Sequence, residues 1–167
     1  STGTTYLVLN NLANANGTLN VTNNTVNNIQ FNGGGTKGIF YLISNLANLN
    51  VTNNSITNVS SNASASTSIF NIYNTAAISG IFNCTNNIVS NISNAATAGT
   101  MYGIYTGSPA TGNINDNLVE GFNYTTLTST GTIIGIYDIS AGVNMYYNNN
   151  IVRNLSTPLT GSITGIR

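Results

Sequence analysis

At 167 residues the chain is long enough for one domain with a continuous core. Only 4% of its residues are charged, against the roughly 25% usual in soluble domains. Three acidic and three basic side chains give no electrostatic footprint for nucleic acid or anionic lipid.

No run approaches the ~18 apolar residues of a spanning helix, so membrane insertion is not expected. Hydrophobic residues make up 41% and are spaced regularly, which argues against disorder. Histidine is absent, and the single cysteine, Cys84, excludes an intramolecular disulfide framework.

In chain order, the sequence repeats two phrases. Tyr6 in TTYLVL opens the first series, which continues as GIFYLI, SIFNIY, TMYGIY, TIIGIY and SITGI. Aligned on their first apolar position, these give Ile39, Ile69, Met101, Ile133 and Ile163, at steps of 30, 32, 32 and 30. The second series reads VTNNTVNNI, VTNNSITNV, CTNNIVSNI, INDNLVEGF and YNNNIVRNL. Its shared asparagines are Asn24, Asn54, Asn87, Asn117 and Asn150, at steps of 30, 33, 30 and 33. Apolar residues stand three before each (Val21, Val51, Cys84, Ile114, Tyr147) and two after (Val26, Ile56, Val89, Val119, Val152). A further apolar column lies five after: Ile29, Val59, Ile92, Phe122 and Leu155.

Both series are short and rich in Ile, Val, Tyr, Phe and Thr, bounded by Gly, Asn and Ser clusters, which predicts strands. Gly, Asn and Thr at this density disfavour helix. The intervening NGGGTK, SNASASTS, NAATAGT and TTLTSTGT vary most and are expected to be loops along one edge. A period near 31 residues is too short for a four-strand propeller blade, which needs ~40 to 50. It fits one circuit of an all-β parallel solenoid, with about five coils stacked at ~4.8 Å over about 24 Å.

These phrases resemble the right-handed parallel β-helix repeats of pectate-lyase-like proteins, over residues 6 to 166. The resemblance implies inward asparagines stacked as an internal ladder. Lyases, phage tailspikes and adhesins share that fold, so function does not follow from it. The neutral Asn/Thr/Ser/Gly texture is also similar to repeat regions of giant bacterial surface adhesins and extracellular filaments.

The ladder has a physical rationale. An asparagine amide both donates and accepts, so stacked amides can bond one another and the turn backbone. Asparagine also tolerates the left-handed conformation a sharp bend requires. These five residues are therefore expected to be structural rather than catalytic.

In the first series, Phe40, Phe70, Tyr102 and Ile134 alternate with Leu42, Ile72, Ile104 and Ile136, which points these two columns inward. The opposite face then shows Ile39, Ile69, Met101 and Ile133, the glycines Gly103, Gly135 and Gly165, and the tyrosines Tyr73, Tyr105 and Tyr137. A glycine column beside a tyrosine stack would make a flat groove able to stack against sugars or another protein. The plainer reading is cross-coil stacking that stabilises the sheet. We retain Tyr73, Tyr105, Tyr137, Gly103 and Gly135 as the candidate contact residues.

Glu120 and Arg153 each follow their ladder asparagine by three. They should sit one coil apart as a surface ion pair, worth at most ~1 kcal/mol. Asp116 falls in the column of Asn23, Asn53, Asn86 and Asn149, and Asp138 in that of Ser44, Asn74 and Thr106. Carboxylates so scattered form no metal site or acid–base pair, so we expect no cofactor, no metal and no catalytic residue. Cys84 shares a column with Val21, Val51 and Ile114 and is expected to be buried. The column Thr22, Thr52, Thr85 is broken by Asn115 and Asn148, with no second Thr column two residues away. That leaves ice binding as an alternative. Sequons such as Asn58, Asn91 and Asn154 are expected by chance in so asparagine-rich a chain.

The phrases run into both ends of the chain, so residues 1–167 are expected to be a single segment of a longer array, or a subunit stacked end to end with further copies. The expected function is a non-enzymatic structural or adhesive segment of an extracellular or cell-surface protein, with surface polysaccharide as a candidate partner. The non-catalytic part of a polysaccharide-acting β-helix enzyme is a further alternative.

Overall fold

The computed structural model describes residues 3–11, 14–43, 45–140, 144–158 and 160–167. Among these the strands are β1 (Thr5–Asn10), β2 (Asn14–Thr22), β3 (Thr25–Phe31), β4 (Gly35–Leu42), β5 (Leu46–Thr52), β6 (Ser55–Ser61) and β7 (Thr67–Thr85). They continue as β8 (Ile88–Asn94), β9 (Thr100–Asn115), β10 (Leu118–Tyr124), β11 (Thr132–Asp138), β12 (Asn144–Asn148), β13 (Ile151–Arg153) and β14 (Ser162–Ile166).

Every pairing is parallel, and each joins a strand to its equivalent one circuit later. The chain is therefore a parallel β-solenoid of about five coils, with three walls. The first wall runs β1, β4, residues 67–74 of β7, residues 100–106 of β9, β11 and β14. The second runs β2, β5, residues 81–85, residues 111–115 and β12. The third runs β3, β6, β8, β10 and β13. The second wall is a strand position of its own, where two recurring phrases suggested two segments. β7 and β9 pass from first wall to second without a break in pairing, apart from register shifts at 74/77 and 78/81.

The core lies between the walls, and stacked like residues fill it. From the second wall come Leu49, Phe82, Val51, Cys84 and Ile114, and from the third Ile56, Val89, Val119, Val59, Ile92 and Phe122. Leu-, Ile- and Val-sized side chains each contribute about 1.5–3 kcal/mol when fully buried, and columns of them leave no coil without its share.

The first wall departs from its expected facing. Ile69, Met101 and Ile133 are 0% exposed, so they belong to the core and not to an outer groove. Their partner in the preceding coil is Lys37, not Ile39, because the register pairs Lys37 with Ile69 and Gly38 with Phe70. Likewise Tyr6 pairs with Gly38. Motif similarity mispairs this coil because it avoids placing a lysine inside. The fold accommodates it: Lys37 is buried, and its Nζ donates to Gly34 O at 2.9 Å and Gly3 O at 3.1 Å, 5.8 Å from the Phe31 ring centroid.

Strict alternation also fails two residues on. Asn71 and Ile72 are both fully buried, while Phe70 and Tyr73 on either side stack on each other outside. Alternation slips by one residue at that point, so Phe70 and Tyr102 leave the predicted inward set. Gly103 and Gly135 change sides as well. A Cβ on Gly103 would lie 2.6 Å from Val119 Cγ1, and one on Gly135 would lie 2.4 Å from Val152 Cγ1. The two glycines thus face the third wall's core valines, and glycine is needed because those valines approach so closely. Asp138 pairs with Thr106, which continues to Asn74 and Leu42; the Ser44 expected in this column lies outside the described residues.

Candidate contact surfaces

The internal ladder forms as its spacing implies. Nδ2 of Asn24, Asn54, Asn87 and Asn117 donates to Oδ1 of the next ladder asparagine at 2.9, 2.9, 2.9 and 3.0 Å. The backbone N–H of each donates to that same oxygen. The second amide hydrogen reaches a carbonyl near the end of a second-wall strand: Val21 O, Val51 O and Cys84 O accept from Asn54, Asn87 and Asn117 at 2.8 Å. Asn150 donates to Ile114 O at 2.6 Å. Each amide therefore satisfies the corner between second and third walls, where the strand ladder is interrupted.

The left-handed conformation falls elsewhere. Asn23, Asn53, Asn86, Asp116 and Asn149, one residue earlier, have φ between 54° and 57°. Asp116 thus stands in the turn column expected of it. A second left-handed column, Asn28, Asn58, Asn91, Gly121 and Asn154, crosses the third wall. Three of the sequon asparagines, Asn58, Asn91 and Asn154, occupy this strained backbone position.

Cys84 is fully buried and accepts from Asn87 Nδ2 at 3.4 Å. Burial pushes its thiol well above the usual cysteine range, so it is an inert core residue. Arg153 Nε lies 2.7 Å from Glu120 Oε2 on the solvent side of β13 and β10, the expected ion pair.

On the first wall, the tyrosines form a spine along the solenoid axis. Ring centroids are 4.5 Å apart for Tyr6–Tyr41, 4.7 Å for Tyr41–Tyr73, 4.3 Å for Tyr73–Tyr105 and 5.5 Å for Tyr105–Tyr137. Phe70 and Tyr102 pack beside them. The structure thus brings Tyr73, Tyr105 and Tyr137 together on the outside, and leaves Gly103 and Gly135 in the interior. Tyr41, Tyr73 and Tyr105 stack on one another, while Tyr6 is tilted against Tyr41 and Tyr137 meets Tyr105 edge-on, so the middle of the spine offers ring edges and hydroxyls. Burial first, and neighbouring phenols second, push Tyr73, Tyr102 and Tyr105 above the usual tyrosine range.

The second wall carries a column that the two phrases, as delimited, leave out. Four residues before each ladder asparagine stand Asn20, Asn50, Asn83, Asn113 and Tyr146. Asn50, Asn83 and Asn113 each donate from Nδ2 to the preceding Oδ1 at 2.7, 2.8 and 2.7 Å. This is a second amide ladder, on the outside. Extending the phrase upstream to NVTNN, NVTNN, NCTNN, NINDN and YYNNN exposes it in the sequence. Two residues along the same face run Thr22, Thr52, Thr85, Asn115 and Asn148.

A cleft of about 470 Å³ lies between two loops, lined by Leu127, Thr128, Thr130, Pro158 and Thr160; it presents no titratable group. Compared with known proteins, the chain matches no family model, no curated protein and no solved structure.

Proposed function

We propose that this chain is a non-enzymatic structural and adhesive β-helical segment of a large extracellular surface protein or filament, built on repeats of the pectate-lyase-like kind. The observation that carries this reading is the pairing of an uninterrupted internal amide ladder with outer walls almost devoid of charge. Such a body is a rigid, neutral rod. Its contacts are short-range, made by amides, hydroxyls and exposed aromatic rings, and become strong through repetition along the rod. Further coils, in the same array or in neighbouring subunits, are the partners we propose for the end strands. In support, the core column Phe40–Ile72–Ile104–Ile136 continues to Val8 and Ile166, which are 39% and 50% exposed.

Beads coated with the chain should attach to cell or polysaccharide surfaces, with little change as ionic strength rises from about 0.01 M to about 1 M. That change shortens the screening length from about 30 Å to about 3 Å. Loss of attachment in salt, no attachment at all, or release of new reducing ends from the polysaccharide would overturn the reading.

A further inference from the structure

We propose that the second wall is a binding lane for an uncharged polysaccharide lying extended along the solenoid axis, with Asn20, Asn50, Asn83 and Asn113 as hydrogen-bonding rungs and Tyr146 as the sugar-stacking residue. The proposal rests on the adhesive reading and gives it a site and a ligand class.

The chemistry of the lane selects the ligand. A primary amide has two N–H donors and two acceptor lone pairs. Within the outer ladder Asn50 and Asn83 each spend one of each on their neighbours, which leaves one donor and one acceptor per rung. A ligand suited to alternating donors and acceptors carries groups that do both, as hydroxyls do. Residues 14–22, 46–52, 81–85, 111–115 and 144–148 contain no Asp, Glu, Lys or Arg. An acidic polymer would therefore meet no counter-charge on this wall. The rungs are also held before binding: each amide is fixed by its neighbour, so the ligand orders few side chains. They repeat at the coil spacing of ~4.8 Å, close to the length of one pyranose in an extended chain.

Tyr146 supplies the second, independent observation. It pairs with Asn113 in the same column and is 51% exposed. Its ring, unlike those of the spine, makes no aromatic contact among the described residues. An open ring next to amides is the arrangement that stacks on the C–H face of a sugar while its hydroxyls are bonded. Asn148 flanks the ring two residues on, and its backbone N–H is anchored to Asn115 Oδ1 at 2.8 Å. The sugar-stacking role that the sequence assigned to Tyr73, Tyr105 and Tyr137 thus moves to a residue outside that list.

Affinity chromatography tests this on columns of an immobilised uncharged β-glucan, with immobilised polygalacturonate columns alongside. The glucan should retard the unmodified chain and polygalacturonate should not. Tyr146→Ala should weaken retardation roughly 3- to 10-fold, Asn83→Ala should also weaken it, and Tyr105→Ala should leave it unchanged, each variant being checked for an unaltered β-sheet dichroism spectrum. Retardation by polygalacturonate alone overturns the proposal. So does loss of retardation in Tyr105→Ala with retention in Tyr146→Ala, or thermal hysteresis without retardation by any glucan. Coated beads that still attach to surfaces when the glucan fails to retard the chain sink the lane and leave the adhesive reading standing.

Discussion

Two adjacent residues, asparagines in every coil but that of Asp116 and Asn117, divide two tasks in each coil. The first of each pair, such as Asn86, takes the left-handed turn at φ 56°. The second, Asn87, spends its side chain on the ladder: its Oδ1 accepts from Asn54 N and Nδ2, and its Nδ2 donates to Val51 O and Asn117 Oδ1. Substitutions should therefore separate the two roles. Asn87→Ala leaves buried donors and acceptors unpaired, and should cost about 2–4 kcal/mol, at about 1 per lost bond plus the desolvation of stranded groups. Asn86→Gly should be close to neutral, and Asn86→Ala should cost about 1–2 kcal/mol through the left-handed backbone alone. Urea denaturation midpoints check the order, and equal losses for Asn86→Gly and Asn87→Ala would refute the division.

At the scale of strands, the first wall depends on glycine where the third wall's valines press inward. A Cβ on Gly103 would also fall 2.4 Å from Gly135 O, whereas a Cβ on Gly165 meets nothing within 4 Å. Gly103→Ala should therefore destabilise by about 1–3 kcal/mol, as overpacking does, and Gly165→Ala should not; thermal unfolding of the pair decides it. The same region marks the limit of what sequence periodicity reveals. The ladder and the third wall are legible because Asn87 and its equivalents recur with apolar residues at fixed offsets on a regular strand. The facing of the first wall is not, because simple alternation fails where Asn71 and Ile72 are buried in succession. Nor is the place of Lys37, whose burial depends on the carbonyl of Gly3, a residue 34 positions away. The tyrosine column is legible as a column, yet the occupied ring faces emerge only from the distances. The outer amide ladder is within reach of the repeat itself, since Asn20, Asn50, Asn83 and Asn113 stand one residue upstream of the repeated phrase.

For the whole molecule, the scarcity of charge shifts pH sensitivity to the phenols. Burial raises Tyr41, Tyr73, Tyr102, Tyr105, Tyr124 and Tyr147 above their ordinary value of 10.0, with neighbouring phenols adding to the shift in the spine. For Tyr147 the hydroxyl also donates to the Asp138 carboxylate. Above pH 10 the unfolded chain has fewer bound protons than the folded one, so stability must fall as pH rises. The contribution is whole below pH 10 and is lost as pH climbs through the raised folded values. Urea midpoints should hold up to about pH 10 and fall as pH rises beyond it, in step with delayed phenolate absorbance in the folded protein; a flat profile from about pH 10 to about pH 12 would contradict it.

The parallel pairing has a mechanical consequence. Bonds between coils lie along the axis, so a pull from the ends loads one seam at a time, and coils should peel off singly. A coil adds ~4.8 Å to the length of the rod, while the roughly 32 residues it contains can extend to about 110 Å. Each coil is thus a reserve of slack more than twentyfold its own height, so that under tension the rod can lengthen in discrete steps, while the ladder below holds the next seam closed.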